Sequence, residues 1–128
     1  MNMEYSTIND SPTISQLASV ELAPQGVALA LTAKGLALPA AGGDVLGIAL
    51  PCNPEKVAAN DRVDVQIKGC GVWIAGGTFD AGDLLAADAT GKAIKADTGN
   101  AIVARALESA TAAGDLVKVQ ILNAGAKA

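Results

Sequence analysis

Two stretches of this 128-residue chain, DRVDVQI at 61–67 and DLVKVQI at 115–121, are near copies of one another. In the first, Val63, Val65 and Ile67 alternate with polar residues; in the second, Val117, Val119 and Ile121 do the same. Alternation with a period of two places successive side chains on opposite faces. Both stretches therefore read as antiparallel strands with one wet face. A duplicated strand implies a fold with internal pseudo-symmetry, which constrains the architecture more than composition does.

The duplication extends well beyond the motif. A shift of 57 positions lays Gln25, Gly26, Val27 and Ala28 on Gly82, Asp83, Leu84 and Leu85, and Lys34-Gly35 on Gly91-Lys92. The same shift lays Gly42 on Gly99 and 46–50 (LGIAL) on 103–107 (VARAL). A three-residue excess within 51–60 then brings the two DxVxVQI strands into line. Each half reads as turn, strand, hairpin, strand, Ala-rich connection and strand. The hairpin turns fall at 31–35 and 88–92, where Gly and Asp accept the required backbone angles. Residues 101–113 have some helical propensity, but their alignment with 46–50 predicts a strand followed by a turn.

These readings predict an all-β fold, a small barrel or sandwich of tulip-like form over 21–123. It would hold pseudo-repeats 21–68 and 77–122 arranged around Trp73. The glycine-flanked segment 69–77 (GCGVWIAGG) joins the halves, and 124–128 forms a short tail. Residues 1–20 differ in kind: they are polar, interrupted by Pro12, and their apolar residues are sparsely placed, with Tyr5, Ile8, Ile14 and Leu17 spaced along the segment. Such a segment buries too little surface to offset its ordering entropy alone. It reads either as a loose terminus or as an extended arm whose spaced apolar residues dock on a neighbouring subunit.

Hydrophobic residues make up 51% of the chain, but 27 of them are alanine, so the core is thin in large side chains. Tyr5, Trp73 and Phe79 are the only aromatics. Small cores of this kind are commonly reinforced by oligomerisation, which makes Trp73 and Phe79 anchors of the core or of a subunit contact. The net charge is −4 with nine Lys and Arg in no basic run, which argues against direct nucleic-acid binding. The uncharged stretch 22–33 contains Pro24 and Gly26 and is far short of the ~20 apolar residues of a membrane span. The acidic N-terminus does not resemble a signal peptide.

Catalytic and cofactor chemistry is not expected. With no histidine, the commonest general base and metal ligand is missing. Cys52 and Cys70 are too far apart for a CxxC site and read as free thiols of a protein made in a reducing cytoplasm, with a disulfide left open. Thr90-Gly91-Lys92 is followed by Ala93 and has Ala86 where a phosphate-binding loop needs glycine. Asp80, Asp83, Asp88, Asp97 and Asp115 sit beside Gly or small residues and read as turn formers rather than calcium ligands.

Segments 72–94 and 99–121 resemble the capsid cement, or head decoration, proteins of tailed bacteriophages. The resemblance lies in Ala81-Gly82-Asp83, in Asp88 with Gly91-Lys92-Ala93, in Ala104 to Glu108 (ARALE), and in Gly114-Asp115 with Val117 and Val119. Ala104 and Arg105 depart from the usual Gly-Val pair, although Gly47-Ile48 supplies such a pair in the first half. The resemblance implies a structural virion protein on the outer capsid surface, bound across seams of the major capsid protein and made in the bacterial host cytoplasm. It further implies self-association, as a homotrimer at three-fold positions or a dimer at two-fold positions. A receptor- or carbohydrate-binding surface module is the alternative, although three aromatics are few for stacking sugars.

Overall fold

The two DxVxVQI stretches occupy equivalent places in two sheets of identical order. The computed structural model describes residues 13–128, and among these it has ten strands and no helix. The first sheet contains β1 (Thr13–Leu17), β2 (Ala28–Thr32), β3 (Gly35–Ala37), β4 (Gly47–Ala49) and β5 (Arg62–Gln66), ordered β1-β5-β4-β2-β3. The second contains β6 (Gly69–Ile74), β7 (Leu84–Ala87), β8 (Ala93–Lys95), β9 (Ala101–Ala106) and β10 (Leu116–Ala126), ordered β6-β10-β9-β7-β8. Every strand pair within the sheets is antiparallel.

Each sheet curls until its ends meet. A parallel bridge joins Ala18 to Leu36, and the Ser19 N–H donates to the Leu36 carbonyl at 2.8 Å. The same closure recurs 57 positions on: Ala75 bridges Ala93, and the Gly76 N–H donates to the Ala93 carbonyl at 2.7 Å. The result is two small barrel-like units, each formed by one repeat. Leu22, Leu29, Leu36, Val57, Val63 and Val65 fill the first; Trp73, Phe79, Leu85, Val103, Val117, Val119 and Ile121 fill the second. Ala87, Ala93, Ala104 and Ala106 are all buried in the second unit, where their small side chains let neighbouring strands approach closely.

The repeat is longer than its sequence signal. Thr13 pairs with Gln66 and Leu17 with Arg62, just as Cys70 pairs with Gln120 and Ile74 with Leu116. Thus β1 is the counterpart of β6, and the repeats begin at Thr13 and Gly69 rather than at 21 and 77. The segment 69–74, expected only to join the halves, is the first strand of the second repeat. Likewise 13–17, expected to belong to an extended N-terminal arm, is a sheet strand. It is held by the β5 backbone ladder and by the Ser15 hydroxyl on the Asp64 carboxylate at 2.5 Å. Residues 1–12 lie outside the described residues. At the other end, β10 passes through a bulge between Ile121 and Gly125 and runs to Ala126, taking up most of the expected tail.

The register also needs one correction. Ala28 pairs with Ile48 and Leu29 with Gly47, while Leu84 pairs with Arg105 and Leu85 with Ala104. So β2 corresponds to β7 at a shift of 56, not 57. A one-residue slip exchanges the faces of a strand, and this register puts Leu29 and Leu85, both fully buried, in equivalent places.

The excess residues of the first half hold a buried polar clamp. Asn53 is 6% exposed; its Nδ2 donates to the carbonyls of Leu50 (2.8 Å) and Asp64 (2.9 Å), and its Oδ1 accepts the Asp64 N–H at 2.9 Å. The side chain thereby ties the 50–54 loop to β5. Asn53→Ala leaves the part-buried Asp64 amide without this partner, while the Asp64 carbonyl keeps the Leu50 N–H at 3.0 Å; a stranded group of this kind costs about 1–3 kcal/mol. The expected loss is about 2 kcal/mol, read as a lower urea midpoint with an unchanged slope.

Candidate functional site

The aspartates singled out in the sequence are mainly occupied in turns. Asp83 Oδ2 accepts the Asp80 N–H at 2.9 Å, and Asp61, outside that set, likewise accepts the Ala58 N–H at 2.9 Å. Asp88 Oδ1 takes the amides of Thr90 and Lys92, both at 2.9 Å, and the Thr90 hydroxyl at 2.7 Å. Partial burial pushes the Asp88 carboxyl up, but these hydrogen bonds and the Lys92 charge outweigh it and hold the group below its ordinary value. The amides of Thr111 and Ala112 hold Asp115 down in the same way. A carboxylate held ionised by its own turn is poorly suited to act as a general acid near neutrality. Among the described residues no three His, Cys, Asp or Glu side chains stand together as a metal site.

Three surface depressions have volumes of about 190, 290 and 280 Å³. They fall below the roughly 300–1,000 Å³ usual for small-molecule pockets. The first lies where the two units meet, between Val45 and Ile102, and the second beside Leu22 and Lys56. Among the described residues no helix is long and apolar enough to cross a membrane.

What the surface does offer is aliphatic. Leu17, Val20, Leu31 and Leu38 of the first repeat are 42–51% exposed, and Leu107 and Leu116 of the second are 41% and 53% exposed. Leu17 and Leu31 lie on β1 and β2, while Val20 and Leu38 follow β1 and β3. Leu17 was singled out from the sequence. Leu31 and Leu38 were not, because a leucine within or beside a strand reads as core until the strand's neighbours are known.

The other predicted residues are placed as follows. Tyr5 and Ile8 lie outside the described residues. Ile14 is half-buried on β1, opposite Val65. Trp73 is fully buried, and its Nε1–H donates to the Gly91 carbonyl at 2.8 Å; Phe79 is 5% exposed in the same cluster. Both aromatics therefore anchor the interior of the second unit and present almost no surface to a partner. Cys52 and Cys70 are free and exposed.

The site is thus a surface of loops and aliphatic side chains on a twice-repeated β scaffold. A family model described as phage cement protein matches residues 24–121. The chain belongs to that family. This cement protein is accordingly a structural component of a phage virion. Its fold is similar to that of the head fiber gp8.5 N base of bacteriophage phi29, with a TM-score of 0.69 and 20% identity, covering 91% of this chain and 98% of that one. Comparison with curated proteins returned no match. The family match spans both repeats, β2 through most of β10, and leaves β1 outside.

Proposed function

We propose that this cement protein binds the outer surface of a phage head across seams between major capsid protein subunits and stabilises it against internal DNA pressure. The family match carries this reading. Packaged DNA pushes capsid subunits apart, and a protein seated on a seam makes their separation cost the loss of an additional interface. A homotrimer engages several equivalent seams at once, so modest contacts combine through effective concentration. The work asked of the protein is rigidity and adhesion, which suits two closed barrels in which Asp61, Asp83, Asp88 and Asp115 are occupied in turns. Catalysis and cofactors have no part in it. Synthesis in the host cytoplasm is compatible with two free thiols, and the net charge of −4 disfavours sticking to DNA before assembly.

The grip is assigned to the N-terminal segment with Tyr5 and Ile8, continued by Ile14 and Leu17 on β1. A test truncation must stop before Thr13, because β1 belongs to the first barrel. Deletion of residues 1–12 is expected to leave a folded protein of unchanged oligomeric mass that binds expanded heads about tenfold or more weakly in co-sedimentation. Full occupancy by the truncated protein would remove the arm from the mechanism.

A further inference from the structure

The two barrels of one chain meet through unlike faces. From the first come Gly26, Ala28, Gly42 and Ile48; from the second, Ile74, Ala87 and Gly91. The Ile74 N–H donates to the Gly26 carbonyl (2.9 Å), the Ala28 N–H to Gly91 (2.7 Å) and the Gly42 N–H to Ala87 (2.8 Å). Ile74 packs against the first core, and Ala28 and Ile48, at 0% and 2% exposure, belong to the second. The contact is therefore heterologous, one surface meeting a different one.

Because the barrels are copies, each of these faces exists twice, and among the described residues nothing covers the second instance of each. The register that pairs Ala28 with Ile48 pairs Leu84 with Arg105 in the second barrel. There Leu84 is only half-buried and Arg105 is exposed. Conversely, the counterparts of Ile74 and Ala87 in the first barrel are Leu17 and Leu31, which are 42% and 51% exposed. Val20 and Leu38, also exposed, add to the apolar surface of the first barrel. A cluster of exposed leucines at a place where the other repeat is covered points to a missing partner rather than to chance exposure.

We propose that copies of this chain associate head to tail. The Leu17 and Leu31 face of one copy packs on the Leu84 and Arg105 face of the next, repeating between chains the junction already present within each. The occupant is a second copy because the complementary surface is one this chain itself carries. The aliphatic stem of Arg105 covers leucine side chains while its guanidinium stays at the wet rim. A heterologous contact closes into a ring or extends into a filament, and three copies make the smallest ring beyond a pair. The proposal deepens the reading above by naming the self-contact faces of the trimer.

The test uses complementary variants of the full chain. Light scattering coupled to gel filtration should give wild-type protein the mass of a closed oligomer, with Leu31→Lys and Leu84→Lys each monomeric, since either lysine adds a second positive charge beside Arg105 at the contact. Each variant spoils one face and keeps the other. An equimolar mixture should therefore form a one-to-one heterodimer, which a symmetric interface would not produce. Circular dichroism and the emission of buried Trp73 report folding, and Leu38→Lys replaces Leu31→Lys if the latter is unfolded. A wild-type monomer or symmetric dimer, a variant of wild-type mass, or a mixture that stays monomeric would each overturn the proposal. A monomer that still decorates heads would sink these faces and leave capsid binding standing; an intact ring that ignores heads would do the reverse.

Discussion

Trp73→Ala is expected to lower stability by about 4 kcal/mol, the largest single-residue effect in the molecule. Trp73 is fully buried among Phe79, Leu85, Val103, Val117 and Val119, in a core whose other contributors are largely alanine. Alanines on closely paired strands have little room to collapse into the space an indole leaves, so most of the cavity persists. Domains of this size have only about 5–15 kcal/mol of stability to lose. Calorimetry should register a fall in Tm of about 15 °C. Trp73→Phe, which keeps most of the volume, should lose far less. A Trp73→Ala protein with an unchanged Tm would mean that the second barrel does not depend on its largest side chain.

Gly91→Ala is expected to cost about 3 kcal/mol, through strain and collision together. Gly91 has φ +80°, a left-handed conformation that L residues adopt only at a cost of about 1–2 kcal/mol. A Cβ there would stand 2.5 Å from the Ala28 carbonyl oxygen, which is backbone and cannot swing aside. The Gly91 carbonyl accepts both the Trp73 indole N–H and the Ala28 N–H. Displacing this one turn therefore disturbs the second core and the junction between barrels at once. Gly82 separates the two contributions: it has φ +93° but open space around its missing Cβ. Gly82→Ala should lose only the conformational part, about 1 kcal/mol. Equal urea midpoints for the two variants would show that the close approach to Ala28 carries no weight.

The sequence showed most where the physical signal is local. In 61–67 and 115–121 the alternation of Val and Ile with polar residues is the strand, and burial of Val63, Val65, Val117 and Val119 follows from it. Gly91 and the turn aspartates were legible for the same reason, since a tight turn states its requirements within a few residues. The strand β1 was not. TISQL carries only Ile14 and Leu17 as large apolar groups, and it is kept in place by backbone hydrogen bonds to β5, a strand far along the chain. Asn53 left no trace either, because a buried amide is distinguished from a surface one only by the carbonyls that surround it.

The sequence by itself determined that this chain is all-β, that it is built twice from one plan, and that it lacks histidine chemistry. Those properties rest on alternation, repetition and composition, none of which needs a partner strand. Only the tertiary structure decided that each repeat closes on itself. The closing bridges, Ala18 to Leu36 and Ala75 to Ala93, are backbone contacts with no side-chain signature. It also decided which copy of each face is covered. Leu17 and Leu31 occupy the same places in one repeat as Ile74 and Ala87 in the other. Their exposure differs because within one chain each barrel has a neighbour on only one of its two sides.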